Sequence, residues 1–287
     1  MNVRLKELEN KWQRLRKEEG FRQAPVLTFV RLISWLAGCL LQKAVIVKLR
    51  KWNVRMFLPP KWRGIGRLIF TFREHYEPEL AYLEKVLSPG KTFVDVGASF
   101  GIYTVVASRM VGTAGRVLAF EPSVQSFSVL RRNIEINNLK NVLAFRVALS
   151  EERGGAWLYH APDPSGNSLG RDPSFDGAAE EVITESLDCA LERASVDRVD
   201  VIKMDVQGAE ELVLRGANKV VNTMRPLIIF EVYPNGAEYL GLSSNGARKM
   251  LEGLGYEFFR VGEPGPVDWT EPLPAYFNVV AVPRKLH

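Results

Sequence analysis

From Phe93 onward the chain repeats one pattern: a short run of consecutive apolar residues, a turn, then apolar residues at helical spacing. The runs Phe93–Val96, Arg116–Phe120, Val142–Val147, Val199–Met204 and Leu227–Val232 predict buried strands. Between them, Ile102–Met110, Gln125–Asn138 (with Phe127, Leu130 and Ile134 on one face), Glu210–Leu214 and, further on, Ser244–Leu254 predict helices. Tyr256–Val261 and Phe277–Pro283 predict a closing antiparallel pair, and a Pro/Gly/Ser-rich insertion fills residues 161–178. Strands apolar throughout, alternating with helices, imply a mostly parallel sheet covered on both faces. The expected architecture is therefore α/β and Rossmann-like, with seven strands. In such sheets a ligand sits beyond the carboxyl ends of the strands.

The first 73 residues follow another pattern. Residues 1–19 read as a charged helix with Leu5, Leu8, Trp12 and Leu15 at helical spacing. Val26–Leu41 is strongly apolar, broken by Arg31 and Ser34, and is short for a membrane span, which needs about 20 residues. Its basic flanks and Trp35 leave two readings open: a helix in a membrane interface, or one packed on the body. Residues 43–60 alternate as a strand or hairpin covering the main domain.

Charge sharpens the division. Residues 1–73 hold 17 Lys and Arg against 4 Asp and Glu, whereas residues 74–287 hold 21 against 29. Between Phe21 and Arg73 there is no acidic residue and there are eleven basic ones. We read 1–73 as a basic extension suited to docking on a membrane surface or a partner, and 74–287 as the mildly acidic main domain. Basic charge alone does not make a nucleic-acid site, and none is expected. The two cysteines, Cys39 and Cys189, exclude a disulfide framework and fit a reducing compartment. No N-terminal stretch has a secretory layout, so the expected location is cytoplasmic, at the inner face of a membrane if the extension docks there.

The chemistry gathers after the strands. Asp95-Val-Gly97-Ala98-Ser99-Phe-Gly101 is a glycine turn opening a helix, where backbone approaches a ligand and free N–H groups face it. The spacing is not the dinucleotide fingerprint, and a plain tight turn capped by Asp95 is its competing reading. Glu121, followed by Pro122, ends the next strand, where a carboxylate accepts hydrogen bonds from both hydroxyls of a ribose. An acid there without a phosphate-binding glycine pattern favours a ligand such as S-adenosylmethionine. Lys203 and Asp205 share a strand face, with Glu210 nearby, and Glu231 ends the neighbouring strand. Paired strand-end carboxylates orient a hydroxyl, accept its proton or hold a divalent cation, whereas a Lys–Asp ion pair is the purely structural alternative.

Together these segments resemble the FkbM family of S-adenosylmethionine-dependent methyltransferases. The resemblance rests on FVDVGASFGIYT (93–104), VLAFEPS (117–123), VALS (147–150), ITESLDCAL (183–191), IKMDVQGAEELVLRGA (202–217), PLIIFEVYP (226–234) and FNVVAVP (277–283). It implies the class I methyltransferase fold, with Asp95, Gly97, Ala98, Ser99 and Gly101 around the methionine and ribose of the cofactor. It also implies Glu121 and Pro122 at the ribose, and Ala148 and Leu149 along the adenine. Lys203, Asp205, Glu210 and Glu231 are then expected to face the methyl acceptor, with Asp205 or Glu231 as base and Lys203 steering its charge. His160, Asn167 and Ser168 of the insertion are expected as acceptor contacts, against a plain surface-loop reading of His160. Tyr76 and Glu77 are read either as reaching the cofactor or as helix caps. Ser99 stands where such sequences usually carry asparagine, and Gln207 where a glutamate is usual. The expected reaction is O-methylation of a hydroxyl on a sugar, glycolipid or other small metabolite. The rivals are N-methylation of an amine and a non-catalytic scaffold; metal dependence and oligomeric state stay open.

Overall fold

The computed structural model describes residues 19–62, 64–174, 177–263, 265–269 and 277–284. The helix expected over 1–19 lies almost wholly outside these residues. The N-terminal region folds as α1 (Glu19–Gln23), α2 (Pro25–Leu40), the antiparallel hairpin β1 (Val45–Leu49) and β2 (Val54–Leu58), and α3 (Ile65–Phe72). After α4 (Pro78–Val86), the alternating segment runs β3 (Thr92–Val96), α5 (Ile102–Val111), β4 (Arg116–Phe120), α6 (Val124–Ile136) and β5 (Val142–Phe145). Next come β6 (Ala148–Leu149), β7 (Gly154–Tyr159), β8 (Ala179–Glu185), α7 (Leu187–Arg193), β9 (Val201–Met204) and α8 (Glu210–Arg215). The chain closes with β10 (Leu227–Val232), α9 (Pro234–Tyr239), α10 (Gly246–Gly253), β11 (Tyr256–Phe259) and β12 (Phe277–Pro283).

The main sheet has seven strands in the order β11-β12-β10-β9-β3-β4-β5, parallel except for β12, which runs antiparallel to both of its neighbours. This is the class I methyltransferase fold. β3 and β9 are adjacent in the sheet but far apart in sequence, so the chain reverses its direction of winding between them and opens a crevice at their carboxyl ends.

Strand alternation sorts the sheet into two cores. Val94, Val96, Ile202, Met204, Ile228 and Phe230 pack on one face under α7, α8 and α10. Phe93, Val117, Val201 and Ile229 face the other way, into a core shared with Trp35, Leu49, Met56, Leu58 and Ile69. The hairpin and α2–α3 are therefore a covering layer of the main sheet. Asp95, Lys203 and Glu231 lie in phase with this second set and point toward that layer.

The second sheet, β6-β8-β7, has no counterpart in the sequence reading. In it Ala148–Leu149 forms a short strand on Thr184–Glu185, and β7 and β8 clamp the base of the 161–178 insertion. Among the described residues no helix is long and apolar enough to cross a membrane.

Candidate functional site

The turn after β3 is held by its backbone. Gly97 and Ala98 donate N–H to the Phe120 carbonyl at 3.0 and 2.9 Å, locking the loop to the end of β4. Gly97 has φ +76°, and a Cβ there would meet the Asp205 carbonyl oxygen at 2.0 Å, so only glycine lets the β3 and β9 loops close together. Ser99 also sits at positive φ, 50°, and its buried hydroxyl has no partner. Glu121 is buried and accepts from the Ser99 N–H at 2.7 Å and the Ser123 N–H at 2.9 Å, one on each carboxylate oxygen. Burial lifts its carboxyl to about 7 against these two donors.

Gly97, Ser99, Glu121, Pro122, Leu149 and Asp205 line a narrow pocket, closed by Leu158 and by Pro164–Leu169 of the insertion. Its free volume, about 50 Å³, is far below the several hundred Å³ that organic ligands occupy, so a ligand entering here lifts that roof. Behind the insertion lies a second cavity of about 440 Å³, lined by Arg67, Tyr159, His160, Ser168, Gln207 and Tyr233 among others. A larger groove of about 940 Å³ between Asp188, Arg198 and Arg225 lies at the amino ends of β9 and β10. That is the edge opposite the crevice, where this fold does not place its ligands.

Between the two cavities runs a charged cluster. Lys203 is 3% exposed and its Nζ donates to Asp205 Oδ2 at 3.0 Å while sitting 4.8 Å above the Tyr103 ring. Burial alone would lower its pKa, but Asp205, Glu77 and Asp95 outweigh that and hold it above the ordinary lysine value. Thr104 Oγ1 donates to Asp95 Oδ2 at 2.5 Å, and the Tyr103 hydroxyl donates to Glu77 Oε2 at 2.5 Å. Gln207 donates from one amide nitrogen to Asp205 Oδ1 and to Glu231 Oε2, both at 2.8 Å, so its amide bridges the two acids. Burial, then the charges of Asp205 and Glu210, lifts Glu231 to about 9. Glu231 therefore carries its proton at neutral pH, whereas Asp205 is held by the Lys203 ammonium at 3.0 Å. Among the described residues no group of three His, Cys, Asp or Glu is placed to hold a metal ion.

The Methyltransferase FkbM domain matches residues 95–258, more than half of the 287-residue chain. The chain belongs to the FkbM methyltransferase family. Methyltransferase 1 of Beauveria bassiana is 27% identical over 207 residues, covering 66% of this chain and 79% of that protein. The hexuronic acid methyltransferase AglP of Haloferax volcanii is 28% identical over 135 residues, covering 47% and 53%. The crystal structure of the FkbM methyltransferase from Methylobacillus flagellatus matches 75% of this chain and 53% of its own, at 16% identity and a TM-score of 0.44.

With its roof lifted, the lining of this pocket offers groups that suit an adenosyl-methionine ligand. Each Glu121 oxygen keeps a lone pair for a ribose hydroxyl, Ser99 Oγ lacks a partner, and Leu149, Leu158 and Pro122 offer apolar walls to a purine. Of the residues expected at the cofactor, Gly97, Ser99, Glu121, Pro122, Ala148 and Leu149 line this pocket. Asp95, Ala98 and Gly101 stand behind it: Asp95 is buried on Thr104, Ala98 packs with Leu130, and Gly101 opens α5.

Four of the residues expected at the acceptor do not line the larger cavity. Lys203 does not reach either cavity; it lies beneath Asp205, because strand phase turns it into the covered core face. Glu210 turns back to accept from the Val206 and Gly208 N–H groups at 3.2 and 3.4 Å, stapling the loop rather than facing an acceptor. Glu231 lines neither of the two cavities and bonds instead to the Gln207 amide. Asn167 borders the narrow pocket rather than the larger one, its Oδ1 taking the Ala161 N–H. His160 and Ser168 do line the 440 Å³ cavity, with His160 Nε2 3.4 Å from Glu180 and Ser168 Oγ bonded to the Gln207 carbonyl at 2.9 Å. Glu77 makes no helix cap and joins the Lys203 cluster instead. The sequence reading missed Arg67, Tyr159, Tyr103 and the acceptor-side place of Tyr233. Tyr233 alone carried a signal, as the aromatic directly after a strand-end acid.

Proposed function

We propose that this FkbM methyltransferase uses S-adenosylmethionine to methylate a hydroxyl of a sugar-bearing acceptor seated in the 440 Å³ cavity. The observation that carries the reading is the position of Asp205: it borders the narrow pocket and, through Gln207, touches the wall of the larger one. The cofactor, when bound, supplies an electrophilic methyl group. Asp205 accepts the hydroxyl proton, while the Lys203 ammonium and the Gln207 amide, each bonded to one of its oxygens, fix its orientation. Seating both reactants along one wall removes much of the entropic barrier to a displacement. Tyr159, Tyr233, His160 and Arg67 give the larger cavity the aromatic faces and hydrogen-bonding edges that suit a polyhydroxylated ring. The relative named for hexuronic acid agrees with a sugar acceptor. Docking of residues 1–73 on a membrane surface belongs to the same reading, and makes a glycolipid the favoured form of that sugar.

Calorimetric titration with S-adenosylhomocysteine tests the cofactor half. Wild type is expected to bind in the micromolar range, and Glu121→Ala to weaken binding at least about tenfold through loss of a charge-assisted pair. A folded wild type that gives no binding isotherm overturns the proposal.

A further inference from the structure

Helix α2 is built inside out for a protein surrounded by water. Its inward side carries Thr28, Trp35 and Cys39, all buried, and Arg31, whose guanidinium donates to the Thr71 carbonyl at 2.9 Å. Its outward side carries Val26, Val30, Ile33 and Leu40, which are 75%, 53%, 68% and 72% exposed, with Leu36 beside them. Solvated surface helices show the opposite arrangement. Ser34 is the one exposed polar side chain on α2, and its hydroxyl donates back to the Val30 carbonyl at 2.8 Å, so it offers no free donor outward. The apolar surface continues past the helix through Leu41, 66% exposed, to Ile46 on the outer face of β1, 54% exposed. Exposed Arg22 precedes the helix, and exposed Lys43 and Lys48 follow it.

We propose that α2 is an interfacial helix that lies flat on an anionic lipid bilayer, burying Val26, Val30, Ile33, Leu36 and Leu40 among the acyl chains. Arg22 and Lys43 then meet lipid phosphates at its two ends. Sixteen residues make a helix of about 24 Å, which is short for a span and ample for a helix lying in the interface. Charge selects lipid over a second copy of the chain. The stretch from Phe21 to Arg73 holds eleven basic residues and no acidic one, so two copies meeting through this face would bring like charges together. A bilayer of acidic phospholipid meets the same charges with their complement.

The helix is also wired to the acceptor cavity. Trp35 Nε1 donates to the Lys61 carbonyl at 2.8 Å, and the Trp35 ring packs at 5.3 Å from that of Phe70 on α3. Gly64 and Arg67, at the start of α3, line the 440 Å³ cavity. A bilayer under α2 therefore holds that cavity close to the lipid surface, where the sugar of a membrane-anchored amphiphile is presented. This last step rests on the acceptor reading above; the docking does not.

Flotation of the full-length protein through a density gradient with vesicles tests the docking, using phosphatidylcholine alone and with about 30 mol% phosphatidylglycerol. Wild type is expected to float with the anionic vesicles. The double substitution V30D/I33D, on a face exposed in the folded protein, is expected to cut the bound fraction at least about tenfold while leaving S-adenosylhomocysteine binding intact. Retained homocysteine-conjugate binding shows that the variant is folded and keeps any failure of docking separate from failure of the methyltransferase reading. The proposal is overturned if wild type stays with the aqueous fraction, or if the double variant floats equally well. It is also overturned if sedimentation velocity without lipid shows a dimer that V30D/I33D dissociates, since the face would then belong to a second copy.

Discussion

Lys203 shows how far one side chain's setting changes its meaning. A lysine at a strand end beside an aspartate reads as a group facing substrate, yet here it is a buried cation serving Asp205, Glu77 and Asp95 at once. Removing it leaves the buried Asp95 and the half-buried Asp205 and Glu77 without their cation, and stranding a buried charge is far more costly than removing a whole pair. Lys203→Met should therefore cost about 3–5 kcal/mol in urea unfolding, with the midpoint moving and the slope unchanged. A loss within about 0.5 kcal/mol, as at ordinary surface positions, would show that the cluster is solvated. Gln207 makes the complementary point. The resemblance marked it as a departure from glutamate, and its amide proves to bridge Asp205 and Glu231.

At the scale of elements, the covering layer hangs on a few apolar pins. Trp35 is 1% exposed, bonded to Lys61, packed against Phe70 on α3, and set where a Cβ at Gly66 would meet it at 3.4 Å. Trp35→Ala should cost about 3–5 kcal/mol of stability, and should raise hydrogen exchange in α2 and α3 before it does so in β3 and β9. Uniform loosening of all four would mean that the layer and the sheet unfold as one unit. The elements of the main sheet were legible in the sequence because their apolar runs are continuous: all seven strands and the helices α5 and α6 fall within a few residues of expectation. The small sheet was not, since β7 and β8 are half exposed and their partner strand is two residues long. Their pairing is set by contacts across the insertion rather than by a local pattern.

For the whole molecule, the buried acids give a pH signature. Asp95, Glu77, Glu121, Glu210 and Glu231 are lifted from ordinary carboxyl values to about 6, 7, 7, 7 and 9, in each case first by burial. The unfolded chain releases these protons near pH 4–4.5, whereas the folded protein keeps them to higher pH. Across this window the folded state binds more protons, so stability falls as pH rises from about 5 to about 9. Lys203 does not enter, because its contribution is lost only above the ordinary lysine range. Urea unfolding of the ligand-free protein should show that decline, and Glu231→Gln should flatten its upper part, from about pH 7 to 9. Stability that rises across the window would contradict the burial of these groups.

The sequence alone determined the alternating α/β order, the glycine turn after β3, Glu121 at the end of β4 and the Asp205 segment after β9. Each depends on residues close together in the chain, and a strand-end acid lands at the crevice whatever the loops do. It also determined the basic N-terminal region, since charge is a property of composition. Only the tertiary structure decided which of the strand-end charges meet a cavity, because that depends on strand phase and on which layer covers each face. The same holds for α2. Its apolar run predicts a helix whether it faces core or lipid, and only the packing of Thr28, Trp35 and Cys39 inward shows which side is left to the surroundings.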